Sequence, residues 1–110
     1  MDTLTALDAL SALSQETRLE VFRLLVRTGP AGLPAGDVAE ALDARQNTMS
    51  THLKHLHDAG LVDSRRDGRS VIYSANYETI KELILFLMED CCAGNEAVCR
   101  PVAASLARAS

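Results

Sequence analysis

Gln46-Asn47-Thr48-Met49-Ser50-Thr51-His52-Leu53-Lys54-His55-Leu56-His57-Asp58-Ala59-Gly60 is the stretch whose reading decides the fold of this chain. Its apolar residues Met49, Leu53 and Leu56 fall at i, i+4 and i+7, the spacing of one narrow buried stripe on a helix. The other faces carry Gln46, Asn47, Thr48, Ser50, Thr51, His52, Lys54 and His55, side chains able to exchange hydrogen bonds with base edges and phosphates, and the first acidic residue of the stretch is Asp58. Such a helix suits a major groove of double-stranded DNA. Taken alone it reads equally well as an amphipathic surface helix with a solvated polar face, so the flanks decide.

Downstream, Gly60 reads as a left-handed cap that ends the helix. Leu61–Arg66 and Arg69–Ser74 are short strand-like runs, and Asp67-Gly68 between them is a strong hairpin signal. Arg65, Arg66 and Arg69 cluster at or beside its tip. On an isolated hairpin this charge would serve solubility, whereas beside a polar helix it has the layout of a wing that touches phosphates or the minor groove. Upstream, Leu33–Leu42 reads as a helix opened near Pro34 to Asp37, and Asp43-Ala44-Arg45 as a short turn. The fold class expected is therefore mainly α with a β-hairpin wing, a winged helix-turn-helix.

The ends of the chain point to a partner. Leu4 to Leu13 forms a first helix with Leu4, Leu7, Leu10 and Leu13 alongside Ala6, Ala9 and Ala12, more apolar surface than a small core needs. Ser14 is a natural N-cap for a second helix, Gln15 to Arg27, with Leu19, Val21, Phe22, Leu25 and Val26 as its buried stripe and Arg18, Glu20, Arg23 and Arg27 solvated. Thr28-Gly29-Pro30-Ala31-Gly32 ends it. A last helix opens near Asn76 and runs to about Asp90, and its Leu83-Ile84-Leu85-Phe86-Leu87-Met88 is apolar all the way round. A chain of 110 residues, 47% hydrophobic but only 4% aromatic and without Trp, supports one domain with a modest core. It cannot bury a terminal helix on every side, so a twofold homodimer through the first and last helices is expected. Two recognition helices roughly 34 Å apart would then read a palindromic operator in successive major grooves.

Charge agrees once it is divided along the chain. The net charge is −4, yet residues 1 to 44 carry three basic and seven acidic side chains, residues 45 to 75 five and three, and residues 76 to 110 three and five. Positive charge is concentrated where the motif puts DNA, which implies modest affinity with a measurable salt dependence. No apolar run has membrane-spanning length and the N-terminus lacks the regions of a signal peptide, so a cytoplasmic protein with no membrane partner is expected. Nothing resembles a catalytic apparatus: there is no Cys-x-x-Cys in a βαβ context, no Gly-rich phosphate loop and no plausible acid/base pair, so neither enzyme activity nor a catalytic cofactor is expected.

Ala12-Leu13-Ser14-Gln15-Glu16-Thr17-Arg18-Leu19, the recognition stretch Gln46 to Leu56, and Arg65-Arg66-Asp67-Gly68-Arg69-Ser70-Val71-Ile72-Tyr73 together resemble the ArsR/SmtB family of metal-responsive repressors, from about Leu7 to Leu87. Gln15-Glu16 stands where that family often has Asp-Pro, a departure touching only how the second helix starts. The resemblance implies a dimeric repressor that leaves its operator when a metal or metalloid binds. Its arsenic and cadmium sensors commonly carry Cys-x-Cys in the helix before the recognition helix, but here that position reads Val38-Ala39-Glu40-Ala41. Its zinc sensors place Asp, His and Glu ligands on the last helix, whereas His52, His55 and His57 all lie on the recognition helix. What remains is Cys91-Cys92-Ala93-Gly94-Asn95-Glu96-Ala97-Val98-Cys99, similar to the arsenite-responsive branch whose thiols lie at the C-terminus.

The chemistry of the thiols points the same way. Cys91, Cys92 and Cys99 are the chain's three cysteines, and an odd number in a cytosolic protein argues for reduced thiols rather than a disulfide scaffold. Soft thiolates select thiophilic ions. Trivalent arsenic takes three sulfurs around a lone pair, and zinc would want a fourth ligand. Gly94 and Asn95 permit the turn that returns Cys99 to Cys91 and Cys92. The domain organisation expected is residues 1–90 as the DNA-binding and dimerisation domain and residues 91–110 as the inducer-binding tail. As(III) is the inducer read from this set. Sb(III), a methylated trivalent arsenical held by two thiols, another soft metal and thiol redox state stay open as alternatives.

Overall fold

The computed structural model describes residues 1–89 and Ser105. In chain order these form α1 (Thr3–Leu13), α2 (Glu16–Thr28), β1 (Leu33–Pro34), α3 (Ala35–Ala41), α4 (Gln46–Asp58), β2 (Val62–Asp67), β3 (Ser70–Ala75) and α5 (Tyr77–Met88). Met49, Leu53 and Leu56 of α4 are wholly enclosed, as their spacing predicts. They join Val21 and Leu25 of α2, Val38 of α3, and Leu61 and Val62 after the helix in one core. Each fully buried Leu contributes roughly 1.5–3 kcal/mol, so this cluster is what holds the recognition helix in place.

The cap of α2 differs from expectation. Ser14 ends α1, its hydroxyl donating to the Ser11 carbonyl over 2.8 Å. Gln15 caps α2 instead, with Oε1 accepting the Arg18 N–H at 2.8 Å. Its carboxamide oxygen thereby takes over the role of a shorter Asp or Ser side chain. The buried stripe of α2 is Val21, Phe22 and Leu25, while Leu19 and Val26 are exposed. The helix is turned so that Val21 and Leu25 meet the core shared with α4. Arg18 is no part of a solvated face: it is half-buried and its Nε donates to the Ala12 carbonyl at 2.7 Å, tying α2 to the end of α1.

The sheet has a third strand that periodicity could not show. Its order is β1-β3-β2, antiparallel throughout. β1 spans only Leu33 and Pro34, opposite Tyr73 and Ile72. Two residues carry no alternation, and Pro is tolerated because the strand is at an edge. Helix α3 accordingly starts at Ala35, with Pro34 as its N-cap residue. The hairpin register runs from Val62↔Ala75 to Asp67↔Ser70. Its loop is therefore Gly68-Arg69, one residue later than Asp67-Gly68, and Gly68 at φ +64° occupies the position that a type II′ turn reserves for Gly.

Both turns around α4 are tightly specified. Asp43 adopts φ +51°, a left-handed conformation that Asp tolerates better than most residues, and the Ala44 N–H returns to the Ala39 carbonyl at 2.9 Å. After α4 the cap residue is Ala59, and Gly60, at φ +80°, is the residue beyond it. Leu61 N–H bonds the Leu56 carbonyl at 3.0 Å and Gly60 N–H the His57 carbonyl at 2.9 Å, the paired bonds of a Schellman motif.

The terminal helices leave large apolar side chains uncovered. Inward, α1 presents only Ala6, Ala9 and Ala12, while Leu4 is 75% exposed and Leu7 and Leu10 are also exposed. Helix α5 runs to Met88 and buries Leu83, leaving Leu85 59% and Leu87 55% exposed. No helix among the described residues is long and apolar enough to cross a membrane.

Candidate DNA-binding surface

The surface that the sequence marks for DNA is built on the ridge of α4 opposite its buried stripe. At 3.6 residues per turn, Asn47, Thr51, Lys54 and Asp58 follow that ridge, with Thr48 and His55 on one flank and Gln46 and Ser50 on the other. All eight are exposed. Arg45, which the sequence pattern leaves in the turn, is exposed at the start of the helix and adds a positive charge there. The segment charge count contains this signal, but the turn assignment hides it. No acidic residue occupies the first turn and the N-cap residue Arg45 makes no side-chain capping bond, so the positive end of the helix dipole adds to the positive charge there.

Hydrogen bonding fixes what these side chains can offer. Ser50 Oγ donates to the Gln46 carbonyl at 3.0 Å and Thr51 Oγ1 to the Asn47 carbonyl at 3.3 Å. Their protons are committed to the helix backbone, and the oxygens turn lone pairs outward as acceptors, suited to the amino groups of adenine or cytosine. Asn47 Oδ1 accepts the Thr48 N–H at 2.9 Å, which leaves its amide nitrogen as the outward donor.

Two candidates are partly spent on neighbours, and a third is partly withdrawn. Lys54 Nζ meets Asp58 Oδ2 at 2.7 Å. That hydrogen bond holds the Asp58 carboxyl below its ordinary pKa and the Lys54 ammonium above its own. The positive part of the ridge is therefore its N-terminal half. Arg65, expected at the basic tip, instead donates from Nη2 to the Ala31 carbonyl at 2.6 Å, anchoring the wing to the loop before β1. Arg66 and Arg69 are exposed on the wing, and neither is in an ion pair among the described residues. His52 is half-buried, with Nδ1 enclosed and lacking a hydrogen-bond partner. Burial, the Arg18 guanidinium and His55, in that order, lower its pKa from the ordinary histidine value. The shift favours the neutral imidazole, which lends no charge to the surface. Nothing in the sequence signals this, because position 52 borders the buried stripe without belonging to it.

The other candidate group lies elsewhere. Cys91, Cys92 and Cys99 fall outside the described residues, as do the proposed tail boundary and Asp90. Among the described residues no three His, Cys, Asp or Glu side chains are grouped to hold a metal ion.

A three-helix core presenting α4, with an arginine-bearing antiparallel hairpin beside it, defines a winged helix-turn-helix regulator that binds DNA. Comparison with known proteins agrees. Residues 13–65 match the family model described as a helix-turn-helix domain. The chain is 31% identical over 83 residues to the HTH-type transcriptional regulator YgaV of Escherichia coli K12, covering 76% of this chain and 82% of that protein. It is 33% identical over 93 residues to the arsenical resistance operon repressor of Staphylococcus aureus, covering 84% and 86%. Among solved structures, an ArsR-like transcriptional regulator from Rhodococcus sp. RHA1 superposes with a TM-score of 0.71 at 28% identity, over 94% of this chain and 92% of that one. The chain belongs to the ArsR family of transcriptional regulators.

Proposed function

We propose that this protein is a homodimeric transcriptional repressor that binds a palindromic operator when free of inducer and leaves it when As(III) binds Cys91, Cys92 and Cys99. Sb(III) is the inducer most similar in thiol chemistry. The observation that carries the reading is the concentration of all three cysteines just beyond α5, in a chain whose described residues group no alternative ligand set. Soft thiolates match a soft trivalent ion. The likeness to an arsenical resistance operon repressor over most of both chains supports it. The uncovered leucines of α1 and α5 support a second copy as the partner, because a self-complementary apolar patch closes as a twofold dimer.

On the DNA side, Gln46, Asn47, Thr48, Ser50 and Thr51 take the base edges. Arg45, Arg66 and Arg69 take phosphates, with Lys54 and His55 toward the rim. Arsenite acts by pulling three thiolates together beyond α5 and changing how the two α4 helices are spaced. A tenfold loss of DNA affinity requires about 1.4 kcal/mol of differential binding.

The test is titration of the reduced protein–operator complex with arsenite, with zinc and cadmium as comparators. Release by arsenite at stoichiometric concentration, lost in Cys91→Ser and Cys92→Ser variants that still bind DNA, is the expected result. Cys99→Ser weakens the response to As(III) while sparing that to a methylated, two-coordinate arsenical. Normal release from all three variants would remove these thiols from the sensor.

A further inference from the structure

Four hydrogen bonds converge where α5 begins. Asn76 caps that helix, its Oδ1 accepting the Thr79 N–H at 2.9 Å. This fixes the amide orientation and leaves Nδ2 to donate, which it does to Asp63 Oδ1 on β2 over 3.2 Å. The backbone N–H of Asn76 bonds the Leu61 carbonyl at 2.9 Å, and the Leu61 N–H bonds the Leu56 carbonyl in the last turn of α4 at 3.0 Å. Thr79 also sits beside Gly60, so the first turn of α5 packs against the residue that ends the recognition helix. One residue thus joins α5, the end of α4 and the first strand of the wing.

We infer that Asn76 is a positioning residue that sets the wing and the end of α4 against α5, its backbone N–H holding the end of α4 and its side chain holding β2, so that a displacement of α5 reaches both DNA-facing elements through one residue. The inference rests on the reading of α4 and the wing as the DNA surface. The backbone bonds alone would hold α5 to α4, since any residue at position 76 other than Pro supplies an N–H. What the side chain adds to the chain's own passage from β3 into α5 is a direct tie from the helix cap to β2, the carboxamide oxygen capping Thr79 while its nitrogen reaches Asp63. Helix α5 is also the element that leads into the cysteine-bearing segment, so Asn76 stands in the chain between that segment and the wing.

Charge and hydrogen bonding separate cleanly at Asp63, which is exposed. Both Asp63→Asn and Asp63→Ala remove its negative charge, but only Asn keeps the acceptor for Asn76. Without the tie, Asp63 acts on DNA through charge alone, and both variants would bind a duplex selected by the wild-type chain from a random pool equally well, no weaker than wild type. With the tie, Asp63→Ala binds about threefold to tenfold more weakly than Asp63→Asn, with the same salt slope and melting temperature. Asn76→Asp sets two carboxylates face to face and weakens binding. Combining it with Asp63→Asn exchanges donor and acceptor, keeps the net charge and the cap, and restores wild-type affinity.

A second measurement needs no DNA: backbone ¹⁵N order parameters across Ser64–Ser74 fall in Asp63→Ala and recover in the exchanged pair. Equal DNA affinity for Asp63→Ala and Asp63→Asn, or an unchanged wing in the relaxation data, overturns the inference. If the wild-type chain selects no duplex, the DNA reading fails instead, and the relaxation data still decide whether the tie exists.

Discussion

Replacing Gly32 by Ala tests how the wing is seated. Gly32 has φ +71°, and a Cβ there would collide with the Tyr73 carbonyl oxygen and lie 3.0 Å from Ile72 Cγ2. The left-handed conformation costs a non-Gly residue roughly 1–2 kcal/mol. The collision is with backbone, so relief requires β1 to move off β3, weakening the Leu33↔Tyr73 pairing at about 0.5–1.5 kcal/mol per hydrogen bond broken. The expected destabilisation is about 2–4 kcal/mol. Gly60→Ala is the control: φ is +80°, but the nearest atom to its Cβ is Thr79 Oγ1 at 3.9 Å, an ordinary contact. It bears the conformational cost alone, about 1–2 kcal/mol. Urea unfolding at one fixed protein concentration measures both, since association shifts apparent stability. Equal midpoint losses in the two variants would show that β1 yields freely and that the close approach of Gly32 to Tyr73 places no constraint on the sheet.

Three further outcomes are expected. Asp58→Asn releases Lys54 from its 2.7 Å partner and removes a like charge from the DNA face, so affinity for any duplex rises and the salt slope steepens by about one unit if Lys54 gains a phosphate; unchanged binding would put Lys54 outside the footprint. Arg66→Ala and Arg69→Ala each flatten the salt slope by about one unit for every phosphate left unneutralised, whereas Arg65→Ala, which breaks the bond to Ala31, weakens binding with the slope kept; a flattened slope for Arg65→Ala would return that side chain to the phosphate-binding set. An NMR titration should find His52 below the ordinary histidine value, since burial lowers its pKa: the folded state favours its neutral form, so its contribution is fully present above the unfolded-state value and declines as pH falls through the folded-state one. His52→Gln should remove that part of the acid-side slope, and an unaltered slope would assign it to other groups.

The sequence made the fold legible wherever side-chain spacing and burial coincide. Met49, Leu53 and Leu56 sit on one face of α4 by arithmetic, and the same face is buried. It failed where tertiary packing chose between equivalent patterns: in α2 the apolar residues allow more than one stripe, and the core took Val21 and Leu25 over Leu19 and Val26. Strand β1 was invisible because two residues have no period, and its existence depends on a partner strand far along the chain, at Ile72 and Tyr73. The site shows the same division. The residue types on α4 and the wing were readable, but their availability was not. Arg65 is bonded to the Ala31 carbonyl and His52 is half-buried beside Arg18, both through neighbours distant in the chain, whereas the Lys54–Asp58 pair follows from its i,i+4 spacing.

The inward face of α1 has a consequence for its opening. This helix of 11 residues is seated through three alanines, with Leu13 half-buried at its end. A buried methyl is worth only ~0.8 kcal/mol, against roughly 1–2 kcal/mol of backbone ordering per residue. In a lone protomer α1 therefore opens locally well before the core around α4, and its amides exchange with solvent through that sub-global event rather than through complete unfolding. Any surface that settles over Leu4, Leu7 and Leu10 closes this route. Exchange protection across Thr5–Ala12 thus reads out how firmly those leucines are covered, without a probe attached to the protein.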